Sequence, residues 1–254
     1  MTRPMNVSKV ITPIPPGGYW PDLLTLNYDA ASVPASPGFR IADNLGRVFR
    51  LVETSEAVAV GNMLTNLVTE VAVAATKFDA DPVGATELKL DVTITANAYN
   101  GGFLEITEGT GAGYLYPIVS NTAGTAGSSD ATIVIESGLV VALSATDTVG
   151  IIRNSMFRNV SQHNAANPCV EAPVGRAMAA STTAKPYIWA QTWGPCLLKA
   201  GTGAAGAGDS IGLAEDDDGS IETLVTTEDP AFVGNSVAAI ADGAWGLCNL
   251  MLFP

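Results

Sequence analysis

At 254 residues, 47% of them hydrophobic and 7% aromatic, the chain has enough apolar side chains for one large core or two small ones, built mainly from Val, Ile, Leu and Ala. That hydrophobicity argues against disorder over most of the length. Twelve Lys and Arg against 25 Asp and Glu leave a formal net charge of −13, which repels phosphate, argues against a general nucleic-acid binder, and restricts self-assembly to uncharged patches.

The chain opens MTRPMNVSKVITPIPPGG, with no continuous apolar segment of the kind a secretory signal carries, and no apolar run approaches the ~20 residues of a membrane span. Pro4, Pro13, Pro15, Pro16, Pro21, Pro34 and Pro37 crowd the first forty residues. Proline fixes φ and removes a donor, so this stretch is neither a helix nor a central strand. It carries Tyr19, Trp20, Leu23, Leu24, Leu26 and Tyr28, poor choices for a solvated linker, of which Tyr19, Trp20, Leu23, Leu24 and Tyr28 are the candidate anchors. Residues 1–38 are therefore expected to form an extended arm lying on its own or a neighbour's surface, with those five side chains as interface anchors. Its deletion is expected to leave a folded protein that assembles poorly.

Short strand-like segments follow, at 47–52, 57–60, 88–95, 102–107, 114–119, 132–135 and 148–152. Residues 66–75 fit a strand or a short helix, because periodicity does not separate the two over such a run. Leu88, Leu90, Val92 and Ile94 alternate cleanly, and Asn100-Gly101-Gly102, Gly109-Thr110-Gly111 and the Gly/Ser-rich stretch 120–130 supply turns. Residues 154–173 are polar and aperiodic, a candidate linker. Beyond them, segments 187–193, 195–199, 209–213, 220–225 and 245–253 are again strand-like. The fold class expected is all-β, as antiparallel β-sandwich or barrel units with a proline-rich N-terminal arm. The expected division is an arm at 1–38, a β-rich domain at 39–153, a linker at 154–173 and a second β-rich unit at 174–254.

Few residues offer chemistry. His163, the one histidine, falls in the candidate linker, where it reads as a solvated or interface residue rather than the base of a Ser-His-Asp or Cys-His set. Asp216, Asp217 and Asp218 are consecutive, so their carboxylates diverge instead of converging on a cation, and with Gly219 they read as a charged hairpin turn. Residues 201–206, GTGAAG, match GxGxxG, but no amphipathic helix follows to meet a pyrophosphate. Cys169, Cys196 and Cys248 lack CxxC spacing and read as buried small hydrophobes in a reducing compartment. Trp189 and Trp193 are spaced to share one strand face, as core or interface residues. The sequons at Asn6 and Asn159 matter only in a secreted eukaryotic protein. No pair of carboxylates stands out for glycoside hydrolysis. No catalytic, cofactor or metal residue is assigned.

Two stretches carry a resemblance. Residues 94–152 hold an aromatic–Gly–Gly strand (AYNGGFLEIT), a GTG turn, a YLYPIVS strand, a small-residue loop and a strand before an AL turn. Residues 174–254 continue with VGRAMAA, YIWAQTWGPCLLKAG, AGDSIGL and FVGNSVAAIADGAWGLCNLMLF. Together they resemble virion structural proteins of tailed bacteriophages, of the capsid cement or head-decoration type. The resemblance implies a structural, non-enzymatic protein of the virion capsid surface, made in the bacterial host cytoplasm. It would bind the major capsid protein and its own copies, with a trimer favoured, and neither nucleic acid nor membrane. A tail, baseplate or fibre component is the alternative within that class, and a carbohydrate-binding β-sandwich is the alternative outside it.

Overall fold

A computed structural model describes residues 26–66, 70–166, 172–224 and 231–254. In chain order the strands are β1 (Arg40–Ala42), β2 (Val48–Glu53), β3 (Met63–Asn66), β4 (Glu70–Val73), β5 (Glu87–Leu90), β6 (Phe103–Glu108), β7 (Leu115–Asn121) and β8 (Ala131–Ile135). They continue as β9 (Val149–Arg153), β10 (Val160–Gln162), β11 (Ala172–Ala177), β12 (Tyr187–Lys199), β13 (Ser210–Leu213), β14 (Ile221–Thr223), β15 (Phe232–Ser236) and β16 (Trp245–Met251). One 3-10 turn, Ala75–Lys77, is the only helical element among the described residues. The protein is all-β, and the strands form two curled antiparallel sheets.

The chain divides into two compact units, and the division is not the one expected at 153 and 174. One unit combines residues up to 67 with 156–254, and the other is formed by 68–155, inserted between β3 and β10. The first unit carries a ten-stranded sheet in the order β10-β3-β11-β12-β16-β15-β13-β14, with β2 also paired to β12 and β1 to β2. Strands 2 and 3 thus belong with the C-terminal half because their ladder partners lie there: Leu51 opposes Trp189, and Leu64 opposes both Gln162 and Gly175. The supposed linker contains β10, which pairs with β3 through Val160, Ser161 and Gln162. The two chain ends at the insertion are adjacent, since Asn66 Nδ2 donates to Met156 O at 3.0 Å.

The inserted unit is a six-stranded sheet, β4-β9-β6-β7-β8-β5, curled around a single cluster that includes Leu88, Leu90, Leu104, Ile118, Ile133 and Ile152. Its strands alternate buried residues with more exposed ones, as in Glu87–Leu90, because one face meets the core and the other meets water. The alternation at 88–94 persists in burial after the ladder stops at Leu90, with Val92 and Ile94 also buried. Gly109 has φ +71°, and a Cβ there would fall on the Asp147 carbonyl oxygen. Only glycine therefore serves this turn. Of the segment 66–75, Asn66 ends β3, Glu70–Val73 form strand β4 and Ala75 opens the 3-10 turn, while 67–69 lie outside the described residues.

Two expectations are corrected, and for the described part of the arm the surface it lies on is its own unit's. Residues 57–60 form no strand: Val58 N donates to Ser181 Oγ at 3.1 Å, Val58 O accepts from Ser181 N at 3.0 Å, and only Val58 of the four is buried. Residues 187–199 are one strand rather than two, with Gly194 at φ +87° absorbing the bend. Part of the expected arm lies on the unit's own core: Tyr28, Val33 and Ala35 pack against the cluster of Ile41, Phe49, Leu51 and Trp189, and Gly38 N donates to Leu51 O at 2.7 Å. Deleting residues 1–38 would strip that cluster of cover. A loss of stability, read as a lower denaturant midpoint, is therefore expected in addition to poor assembly.

Candidate interaction face

The longest strand, β12, pairs first with β2 and then with β16, and a bulge between Gln191 and Trp193 separates the two halves. Trp189 opposes Leu51 and Trp193 opposes Val48, partners an odd number of positions apart on β2. Side chains alternate along a strand, so the two tryptophans point to opposite faces, contrary to their spacing in the sequence. Trp189 is buried with Phe39 edge-on to it at 6.5 Å between ring centroids, whereas Trp193 is half-buried.

Beyond the bulge the faces separate clearly. Cys196 and Leu198 of β12 and Cys248 and Leu250 of β16 point into the core. The odd-numbered residues point outwards, and the register sets Leu197 beside Leu247, Lys199 beside Trp245 and Trp193 beside Met251. The row extends to a third strand, because Val237 N donates to Leu247 O at 2.8 Å just past the end of β15. Val237, Leu247 and Leu197 are 52%, 42% and 51% exposed, and Trp245 and Met251 are 47% and 38% exposed. Ala200 N donates to Ala244 O, which places the outward β12–β16 pairs in the non-hydrogen-bonded phase, where side chains approach most closely. The result is a mainly apolar band facing water, with Asn249 opposite Pro195 as its one uncharged polar position in the β12–β16 row. Isolated exposed hydrophobes are ordinary, but contiguous ones mark contact surfaces.

The band carries no carboxylate among these residues. Its one cation, Lys199, is held by Asp217 at 2.6 Å. That ammonium, with help from the Ser220 hydroxyl, keeps the Asp217 carboxyl below the usual carboxylate range. Trp245 is seated by Gly61, whose φ of +90° and missing side chain leave room for the indole: a Cβ there would lie 2.5 Å from Trp245 Cη2.

The aspartate turn joins β13 to β14, and its carboxylates diverge as the consecutive spacing implies. Asp216 accepts from Thr202 N at 3.2 Å, Asp217 binds Lys199, and Asp218 accepts from Ala165 N at 2.8 Å. They tie three segments together and share no ligand. Residues 201–206 form a loop that leads into strand β13, not into a helix.

His163 departs from expectation. It is fully buried rather than solvated. Its main-chain N donates to Met63 O at 2.9 Å, its carbonyl accepts Gly219 N at 3.0 Å, and its Nε2 lies 2.6 Å from Ala214 O. A carbonyl only accepts, so Nε2 carries the proton. The residue latches β3 to the β13–β14 hairpin. The signal missed in the sequence is non-local, since each partner lies about 50 or more positions away.

Of the five arm anchors, Tyr19, Trp20, Leu23 and Leu24 lie outside the described residues. Tyr28 pairs with Tyr187 at the start of β12, its N donating at 2.8 Å and its O accepting at 3.1 Å. Cys169 also lies outside the described residues, while Cys196 and Cys248 are free, buried and directly opposite each other. Arg176 is half-buried, its guanidinium near Met178 Sδ at 3.2 Å with no carboxylate partner among the described residues. No group of three or more His, Cys, Asp or Glu side chains among the described residues is placed to hold a metal ion. No helix among them is long and apolar enough to cross a membrane. Comparison of the chain with protein-family models, with curated proteins and with solved structures finds no match in any of them.

Proposed function

We propose that this chain is a structural virion protein that cements a tailed-phage capsid by binding the major capsid protein lattice and its own copies, without catalysis. The observation that carries the reading is the apolar band of Leu197, Leu247, Val237, Trp245 and Met251 on a rigid three-strand platform. Adhesion needs no converging polar groups, only complementary surfaces burying roughly 1,000 Å² or more per stable contact. In a chain of net charge −13, an uncharged face is where copies meet with least repulsion. Repetition over a lattice then multiplies weak contacts through high effective concentration.

The resemblance supports the same reading, since its two stretches fall one in each unit: 94–152 within the inserted unit and 174–254 within the other. The proline-rich segment with Tyr19, Trp20, Leu23 and Leu24 is assigned to contacts with a neighbouring subunit, where its restricted freedom reduces the entropy lost on docking. Trimerisation on the capsid surface belongs to the same proposal.

The test is co-sedimentation of the purified chain with shells of the phage's major capsid protein. The native chain is expected to pellet with a fixed stoichiometry. The double variant Leu197→Lys/Leu247→Glu, which exchanges an apolar cross-strand pair for an oppositely charged one, is expected to bind at least about tenfold more weakly, equivalent to ~1.4 kcal/mol. A native chain that stays in the supernatant, or a variant that binds equally well, overturns the reading.

A further inference from the structure

Cys196 and Cys248 are distant in the sequence yet directly opposite in the β12–β16 ladder, on its inner face, with both thiols free. The phase of the ladder is set by its ends. Ala200 N donates to Ala244 O at 2.9 Å and Leu252 N to Thr192 O at 3.2 Å, and both of those pairs are an even number of steps from the cysteines. The cysteines are therefore a hydrogen-bonded pair, whose Cα atoms sit about 5.5 Å apart. That is inside the window of about 4.4–6.8 Å that a disulfide spans, and the two Cβ atoms project from the same face.

We infer that Cys196 and Cys248 form a covalent cross-link site, closed to a cross-strand disulfide by a low-molecular-weight disulfide oxidant and reopened by thiols. One protein thiolate attacks a sulfur of the oxidant, expels one small thiolate and leaves a mixed disulfide. The second protein thiolate then attacks the protein sulfur of that bond and expels the other small thiolate. Two protein S–H bonds are lost, their protons end on the two released thiols, and two electrons pass from the protein sulfurs to the oxidant.

Burial pushes the Cys196 thiol up to about 12 and the Cys248 thiol up to about 11, so thiolate is scarce while the sheet is closed. Exchange then proceeds during folding or through local openings of β12 and β16. A separation of about 5.5 Å is also among the commonest for disulfides, so the bond closes without moving either strand and the fold favours it. It ties together the two strands that display Leu197 and Leu247 on the opposite face.

The test uses the full chain with Cys169→Ser, which removes the third thiol. Native and guanidinium-denatured samples are equilibrated in glutathione redox buffers from both the reduced and the oxidised side, then quenched, alkylated and read by intact mass and peptide mapping. The expected result is a Cys196–Cys248 linked peptide, a mass lower by two hydrogens, and half-oxidation of the native chain at a [GSH]²/[GSSG] ratio about tenfold or more above that of the denatured chain. An equal or lower ratio in the native chain overturns the inference, because the fold would then disfavour the bond. In the chain retaining Cys169, oxidised linkage of Cys169 to either thiol in place of the 196–248 link overturns it as well.

Discussion

Burying His163 gives the first unit a latch with no slack. Its ring and main chain together satisfy Ala214 O, Met63 O and Gly219 N. His163→Ala leaves the buried Ala214 carbonyl unpaired and is expected to lower stability by about 2 kcal/mol, measured as a shift of the denaturant midpoint. Gly61→Ala is expected to destabilise the same unit by a comparable ~2 kcal/mol, because the new Cβ meets the Trp245 ring and the backbone stays at positive φ. Trp245 fluorescence should shift in that variant and not in a surface control. In the inserted unit, Asp81 is pushed up to about 6, first by burial and then by the nearby Asp79 charge, with Lys89 opposing. The folded carboxyl thus binds its proton more tightly than the unfolded one, whose ordinary value is 3.8. Its contribution is complete below that value and is lost as pH rises through about 6. Asp81→Asn should therefore raise the melting temperature at pH 8 and leave it nearly unchanged at pH 4. None of these residue roles is legible locally. His163 sits in an aperiodic polar stretch, and its partners arrive from β3 and from the aspartate turn, which only the assembled sheet brings together.

Strand positions are legible where one face is buried and the other wet. Leu88 to Ile94 and Ala131 to Ile135 show the period of two that such strands impose, and they are strands or strand-like buried runs in the fold. Strand 3 is buried at all four positions, and β11 carries Pro173 and Gly175 at a register shift, so neither offers an alternating signature. Strands 1, 10 and 15 are also missed, being three to five residues long. The apolar character of 245–253 is visible in the sequence, but not which side chains face out. That depends on the register of β16 against β12, and the bulge after Gln191 inverts the faces along β12 itself. At this scale the outward pair Leu197–Leu247 is expected to matter for contact rather than for folding. The Leu197→Lys/Leu247→Glu variant should keep the native circular dichroism and lose less than about 1 kcal/mol of stability, because exposed cross-strand pairs contribute only that much.

For the molecule as a whole, composition marked an apolar, acidic protein and the spacing of short strands and turns marked it as all-β, whereas the discontinuous first unit required the long-range pairing of β2 and β3 with β11 and β12. The inserted unit has its own sheet and core, and its flanking ends meet at Asn66 and Met156. Residues 68–155 expressed alone are expected to unfold cooperatively in denaturant, and a chain in which a short Gly/Ser linker replaces them should retain the other unit's near-ultraviolet dichroism. Non-cooperative melting of the fragment would contradict the division. The proposed adhesive role is tested by cryo-electron microscopy of the particle that the proposal assigns to this chain, a tailed-phage capsid. Density for this chain is expected over the junctions between major capsid proteins, with the Leu197–Leu247–Val237 band buried in a contact. A capsid shell without the chain, or with that band facing solvent throughout, would contradict it.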